Sequence, residues 1–301
     1  MMYESTDVKT KKMSYFDIKI ESLKHFWYKY SVNKLSVIGL IVLVVVILSA
    51  IFAIHLVPYP KHIGAFTDLG NANLQPSLKY FCGTDQYGRD IFSRIVFSFR
   101  NAFVMCIGVL GSAVPIGVVL GLIAGYFQGT LLNSIIMRFV DIFLSLPPLV
   151  LALAVSAVLE PTLFNSMVAV SFSWWAWYTR LTYNMSVSVK NEYYIKSAEL
   201  VGAKMSHIII NEILPNCLGP IFTKMTLDVG YVILIGASLS FVGLGEQPPN
   251  PALGTMIADG AKYLPHMWWQ AVYPAVAIMI IVLACNLVGD GIRDAISTEE
   301  V

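Results

Sequence analysis

Charged side chains are scarce in this chain. Asp, Glu, Lys and Arg make up 13% of its 301 residues, against about 25% in an ordinary soluble domain, while hydrophobic residues reach 56%. A sequence so short of charge cannot coat a soluble globule, which leaves an integral membrane protein. Cysteine is sparse too: Cys82, Cys106, Cys217 and Cys285 are scattered without C-x-x-C spacing. That argues against a disulfide framework and gives no metal site. No G-x-x-x-x-G-K-[ST] phosphate loop occurs, so the chain is not expected to bind ATP. There is no H-E-x-x-H, and His25, His55, His62, His207 and His266 are dispersed, so an enzyme reading has no catalytic set. No cleavable signal peptide is evident, because the first apolar run lies behind 34 residues and is long enough to span.

What is present is an alternation of apolar runs and polar breaks. Residues 1–34 carry Lys9, Lys11, Lys12, Lys19, Lys24, Lys29 and Lys34, with Tyr15, Phe16, Phe26, Trp27, Tyr28 and Tyr30 among them. Basic and aromatic side chains just before a span predict a helix in the lipid interface on the cytoplasmic side, rather than a nucleic-acid arm. Residues 35–57 lack Asp, Glu, Lys and Arg. At about 1.5 Å per residue they reach roughly 34 Å, enough to cross a hydrocarbon core about 30 Å thick. Further runs at 101–128, 142–159, 166–179, 217–245 and 269–289 predict an all-α, polytopic protein with six transmembrane helices and both termini cytoplasmic. The positive charge agrees. Lys and Arg in 1–34, Arg138, Arg180, Lys190, Lys196, Lys204, Lys224 and Arg293 fall inside and outnumber Lys61, Lys79, Arg89, Arg94, Arg100 and Lys262 outside.

The breaks carry patterns of their own. In the outer segment, residues 81–94 read FCGTDQYGRDIFSR. Thr84 or Asp85 can start a turn, Gly88 can supply a positive φ, and Asp90 and Arg94 can pair at i,i+4 on a short helix. The result is a locally self-satisfied loop, with substrate contact as the alternative. Gly117, Gly121 and Gly125 recur on one helical face, which in hydrocarbon permits close packing within the bundle or against a second subunit. Arg138 and Asp141 are expected to pair ahead of the third run, which contains Pro147 and Pro148. Trp174, Trp175, Trp177 and Tyr178 mark an interface belt or packing, or line a path if they lie deeper.

Residues 192–216, EYYIKSAELVGAKMSHIIINEILPN, form a polar, helix-prone stretch between two spans. Ile195, Ala198 and Gly202 recur at helical spacing, and Ala198 with Gly202 leaves a face with little bulk, open to another surface. Ser206 is expected to cap a second short helix carrying Ile208, Ile209, Ile210 and Ile213, stopped by Pro215. This pattern resembles the cytoplasmic coupling loop of ABC-importer permeases, E-A-A-x-x-x-G followed at a distance by I-x-L-P. Lys196, Ser197 and Ala198 take the E-A-A places, followed by Glu199, Val201, Gly202 and Ala203, with Leu214 and Pro215 at the end. Lys196 replaces the acid, Ser197 the first Ala, and Glu212 the Ile, but the Gly-to-Leu-Pro spacing is intact.

Four more stretches resemble signatures of these permeases, the first two those of the dipeptide, oligopeptide and nickel branch. Gly83, Thr84, Asp85, Gly88, Arg89, Asp90, Ser93 and Arg94 match G-T-D-x-x-G-R-D-x-x-S-R. SLSFVGLGEQPPNP, with Gly243, Gly245, Pro248 and Pro249, nearly repeats the end of the fifth helix. Arg138 with Asp141, and NLVGDGIRDAI with Gly289, Asp290, Arg293 and Asp294, resemble two further family stretches.

The resemblance implies the type I ABC importer permease fold in a prokaryotic inner membrane, a non-catalytic subunit translocating di- or oligopeptides or a related small solute. It implies a second, different permease, two cytoplasmic ATPases that hold ATP and Mg, and an external binding protein; this chain itself would carry no cofactor. The expected division is an interfacial segment 1–34, a first helix 35–57 and an external loop 58–100. A core of five helices at 101–290, with its coupling loop at 185–216, and a cytoplasmic tail 291–301 complete it. Asp228, a costly charge at mid-span, either faces the pathway and favours a cationic group or pairs with a neighbouring helix or subunit. A self-contained secondary transporter or channel is the alternative, but it would call for an internal repeat, and none is evident.

Overall fold

The computed structural model describes residues 15–296, so Lys9, Lys11, Lys12 and the end of the 291–301 tail lie outside the described residues. Twelve α-helices follow in order: α1 Tyr15–Val32, α2 Lys34–Ile51, α3 Ala53–Leu56, α4 Ile91–Tyr126, α5 Leu131–Leu144, α6 Pro148–Ser156, α7 Leu163–Lys190, α8 Tyr193–Leu200, α9 Met205–His207, α10 Leu214–Phe241, α11 Leu253–Ala261 and α12 Trp269–Ile296. Among the described residues the only β-type pairing is an isolated bridge, Thr84 with Asp90. An all-helical chain is what hydrocarbon demands, because a helix satisfies its own backbone N–H and C=O groups. At four helix starts a side chain meets a free first-turn N–H group. Asn33 accepts from Leu35, Asp90 from Ser93, Thr130 from Asn133 and Thr162 from Asn165.

Among the described residues four helices are long and apolar enough to cross a membrane: Lys34–Ile51, Ile91–Tyr126, Met205–Phe241 and Trp269–Ile296. The third apolar run is not one straight helix, as its sequence suggested. α5 and α6 meet at 88° and count as a fifth crossing only if taken together. The cause is the Pro147–Pro148 pair: the residue before a proline is driven out of the helical region, and Pro147 has ψ 129°. The second run starts at Ile91 rather than 101, so 91–100, expected in the outer loop, is the first part of α4. Pro215 stops nothing. A π-turn over Ile208–Ile213 carries α9 straight into α10, placing Pro215 in the first turn of α10, where a missing N–H is tolerated. Ser206 is no cap, because that position is taken by Lys204.

α4 packs along α7, and α12 lies between α2 and α10. The glycine stripe makes the first contact possible. A Cβ on Gly117, Gly121 or Gly125 would sit 2.5, 2.6 and 2.5 Å from the Cβ atoms of Tyr178, Thr182 and Ser186. The bare face is therefore used inside this bundle. Fully buried Val109, Val170, Val232, Leu239 and Ile281 fill the centre, while Ile41, Val45, Ile107, Phe139, Phe222 and Met279 point outward.

Candidate coupling and transport site

Three groups of chemically distinctive residues lie at the two ends and in the middle of the bundle. At the end where α4 begins, Asp85 is the hub. Its Oδ1 accepts the N–H groups of Tyr87 and Arg89 at 2.9 Å, and its Oδ2 takes the Arg89 Nε at 2.7 Å. Arg94 Nε lies 3.8 Å from the same oxygen, and its Nη1 reaches the carbonyls of His62, Ile63 and Pro249. Arg94 therefore pairs with Asp85 and not with Asp90. The Asp90 carboxylate is already committed, accepting from the Ser93 N–H at 2.8 Å and the Ser93 hydroxyl at 2.6 Å.

Thr84 joins the Asn71 carbonyl to the Leu74 N–H, and its own carbonyl receives Trp269 Nε1 and Gln270 Nε2 from α12. One buried knot thus ties the 58–90 loop, the start of α4, the Pro248–Pro249 turn and the start of α12. Burial pushes the Asp90 carboxyl above its ordinary range and, against the pull of Asp90, Asp68 and Asp85, pushes the His62 imidazole below its own. His62 Nδ1 accepts the Asp90 N–H at 3.0 Å, so the neutral ring is the one that fits.

At the opposite end, α8 projects from the bundle. Its base is anchored by Ile195, Ile208 and Ile213, all at 0% exposure, whereas Leu200 is 88% and Val201 86% exposed. Lys196, Ser197, Glu199 and Gly202 are exposed, Ala198 and Ala203 half-buried, and Leu214 and Pro215 stand at the foot of α10. Gly202 has a more local duty than leaving a bare face. Its φ is +81°, and the Gly202 N–H bonds to the Glu199 carbonyl while the Ala203 N–H reaches back to the Ala198 carbonyl. That is the glycine-dependent stop of a helix, and Gly243, φ +86°, closes α10 in the same way. Gly245 follows in that turn, while Gly289 is buried on α12 and Asp290 and Arg293 are exposed near its end. Asp141 of α5 is paired with Arg180 of α7, not with Arg138, which stays exposed.

In the middle, Asp228 is 4% exposed and held by three donors. Trp174 Nε1 and Tyr178 OH reach its Oδ2 at 3.0 and 2.8 Å, and Lys224 Nζ its Oδ1 at 3.1 Å. Trp174 and Tyr178 are thus buried packing groups, Trp175 meets Phe143 edge-on, and only Trp177 of the cluster is exposed. Lys224, counted from the sequence among the inner-side charges, lies within α10 one turn from Asp228. Sequence reading passed over it because positive-inside counting assigns a lysine to a side without asking for a partner.

A family model described as "Binding-protein-dependent transport system inner membrane component" matches residues 117–299, and one for the "N-terminal TM domain of oligopeptide transport permease C" matches 22–76. A dipeptide transport system permease protein of Alkalihalophilus pseudofirmus is 39% identical over 264 residues, covering 88% of this chain and 86% of the relative. Its counterpart from Haemophilus influenzae is 38% identical over 281 residues, covering 91% and 94%. An oligopeptide transport system permease protein of Bacillus subtilis is 35% identical over 268 residues, covering 89% and 87%. With a bundle of membrane-length helices and a projecting polar hairpin, the chain belongs to the family of inner-membrane permease components of binding-protein-dependent ABC transport systems.

Proposed function

We propose that this chain is one of two unlike permease subunits of an ATP-driven importer of di- or oligopeptides. An external binding protein delivers the solute at the Asp85 end, and two cytoplasmic ATPases, which hold the ATP and Mg, grip the α8 hairpin at the other. The relatives' names support the substrate class. In this reading six segments cross the membrane: α2, α4, the α5–α6 pair, α7, α10 and α12, with both termini cytoplasmic. α7, with 28 residues, is long enough for this despite its polar composition.

The observation that carries the proposal is the exposure of Leu200 and Val201 on a hairpin anchored by the fully buried Ile195, Ile208 and Ile213. Apolar side chains at the tip of an anchored lever suit docking into a cleft of a separate protein. Closure of an ATPase pair would then move Lys196–Ala203 as a rigid body and rock α10, which is continuous with the hairpin's second arm. Purification in mild detergent tests this. ATPase chains should co-purify, and labelled dipeptide should enter vesicles only with ATP on the hairpin side and binding protein on the Asp85 side. A lone chain, or uptake without ATP, contradicts it.

A further inference from the structure

The charge that this chain presents at membrane depth is positive. Lys224 and Asp228 are the only Asp, Glu, Lys or Arg residues of α10, with about 15 Å of that helix before Lys224 and about 25 Å after it. They are not equally available. The Asp228 side chain is 6% exposed and turned inward onto three donors, whereas that of Lys224 is 29% exposed. Among the described residues Asp228 is the only hydrogen-bond partner of the Lys224 ammonium, which leaves two of its three N–H donors unused. The ammonium also lies 5.8 Å from the Trp177 ring and 5.5 Å from that of Tyr178, which hold it in place from the side of α7.

On the same face of α10, two turns on, stands Tyr231 at 58% exposure, and beside it on α7 stands Trp177 at 41%, while Leu234, nearly three turns on, is 45% exposed. Arg180, three residues on from Trp177, is paired with Asp141, and Asp228 is turned inward, so Lys224 is the charged side chain that α10 exposes here. Such a pair is a poor device for stability alone, since apolar residues of similar volume commonly do as well or better. Charged groups at this depth mark pathways or partners.

We infer that Lys224 is a specificity-determining residue of the pathway, binding the α-carboxylate of the passing peptide, with Asp228 as the positioning residue that holds the ammonium. The inference rests on the peptide reading above and deepens it. A terminal carboxylate is common to peptides of every sequence, so one fixed cation serves an importer indifferent to side chains. Asp228 cannot play the complementary part for the amino terminus, because its oxygens are already occupied. The aromatic rings and the apolar remainder of the face exclude competing anions and strengthen the contact by keeping water away.

The test compares a tripeptide with its C-terminal amide, each supplied at a concentration that loads the binding protein equally, in vesicles containing the whole complex. Wild type should import the free acid faster. In the charge-free double variant Lys224→Met/Asp228→Asn that preference should fall by about tenfold or more, chiefly through slower uptake of the acid, and Lys224→Arg should keep it. Because the same binding protein serves all variants, a changed ratio arises in the membrane. An unchanged ratio in an assembled double variant overturns the inference. If the double variant assembles poorly, Lys224→Gln, which can still hydrogen-bond Asp228, reads the same ratio. Loss of assembly in both makes the pair a subunit contact and overturns the inference as well. A wild-type complex that imports neither compound defeats the peptide reading itself, a result distinct from an unchanged ratio.

Discussion

The two ends of the bundle treat their polar groups in opposite ways. At the Asp85 end the charges are buried and spent on one another: Asp85, Arg89, Arg94 and Asp90 are each at most 9% exposed, and their partners come from four stretches of the chain. At the α8 end the glycine turn at Gly202 and the apolar side chains of Leu200 and Val201 are left in the open. A knot of buried charge tolerates no change of geometry, whereas an anchored hairpin with an exposed tip is free to meet another surface. One end is a closed, buried knot, and the other leaves its tip free, as the proposed attachment of a partner requires.

Variants that act at one end only sharpen this contrast. Asp85→Ala should have the largest effect on stability. It strips Arg89 and Arg94 of their buried counter-charge and two N–H groups of their acceptor, at a cost of about 3–5 kcal/mol, read as a lower melting temperature of the detergent-solubilised complex. Gly121→Leu, which drives a side chain into Thr182 and the Thr179 carbonyl, should cost about 3 kcal/mol and loosen the α4–α7 contact. At the hairpin, Gly202→Ala should cost about 1–2 kcal/mol locally because φ is positive, while Gly202→Asn should stay close to wild type. Equal ATPase stimulation by binding protein in the two variants would show that the turn conformation is unimportant. Leu200→Ser with Val201→Ser should move stability by no more than about 0.5 kcal/mol, yet release the ATPase subunits on gel filtration.

The smallest effect concerns pH. Unfolded histidine titrates near 6.5, and burial holds His62 below that. As pH falls through about 6.5 the unfolded chain takes up a proton that the folded chain resists, so stability contributed by the neutral ring is lost on the acid side and fully present above. His62→Gln should flatten the melting temperature between about pH 5 and 6.5. Asp90, raised by burial, titrates in the opposite sense, so the test is the difference between wild type and variant.

Much of the architecture was legible because hydrocarbon imposes simple rules. Long apolar runs located α2, α4, α10 and α12, and the spacing of Gly117, Gly121 and Gly125 announced a close helix contact. What could not be read depends on partners distant in sequence. Local spacing suggested Asp90 with Arg94 and Arg138 with Asp141. The folded chain uses Asp90 as a cap and gives Arg94 to Asp85 and Asp141 to Arg180. Pro215 looked like a stop because nothing local reveals the π-turn that accommodates it. α11 went unnoticed: Ala252, its first flanking residue, offers no side-chain cap, and it sits in a segment rich in Pro and Gly. In the candidate site, Asp228 stood out at once as an acid in a span and its lysine partner lies one turn away on α10 itself, but the two aromatic donors appear only when α7 and α10 are brought together.

A cysteine placed at Leu200 tests the central claim most directly. The native thiols compete little, since Cys106, Cys217 and Cys285 are buried and burial pushes Cys82 up to about 11. In the assembled complex a short thiol crosslinker at position 200 should join this chain to a nucleotide-binding subunit, with a yield that changes when ATP is added. Crosslinks confined to this chain, or running to the binding protein on the opposite side of the membrane, would contradict the account.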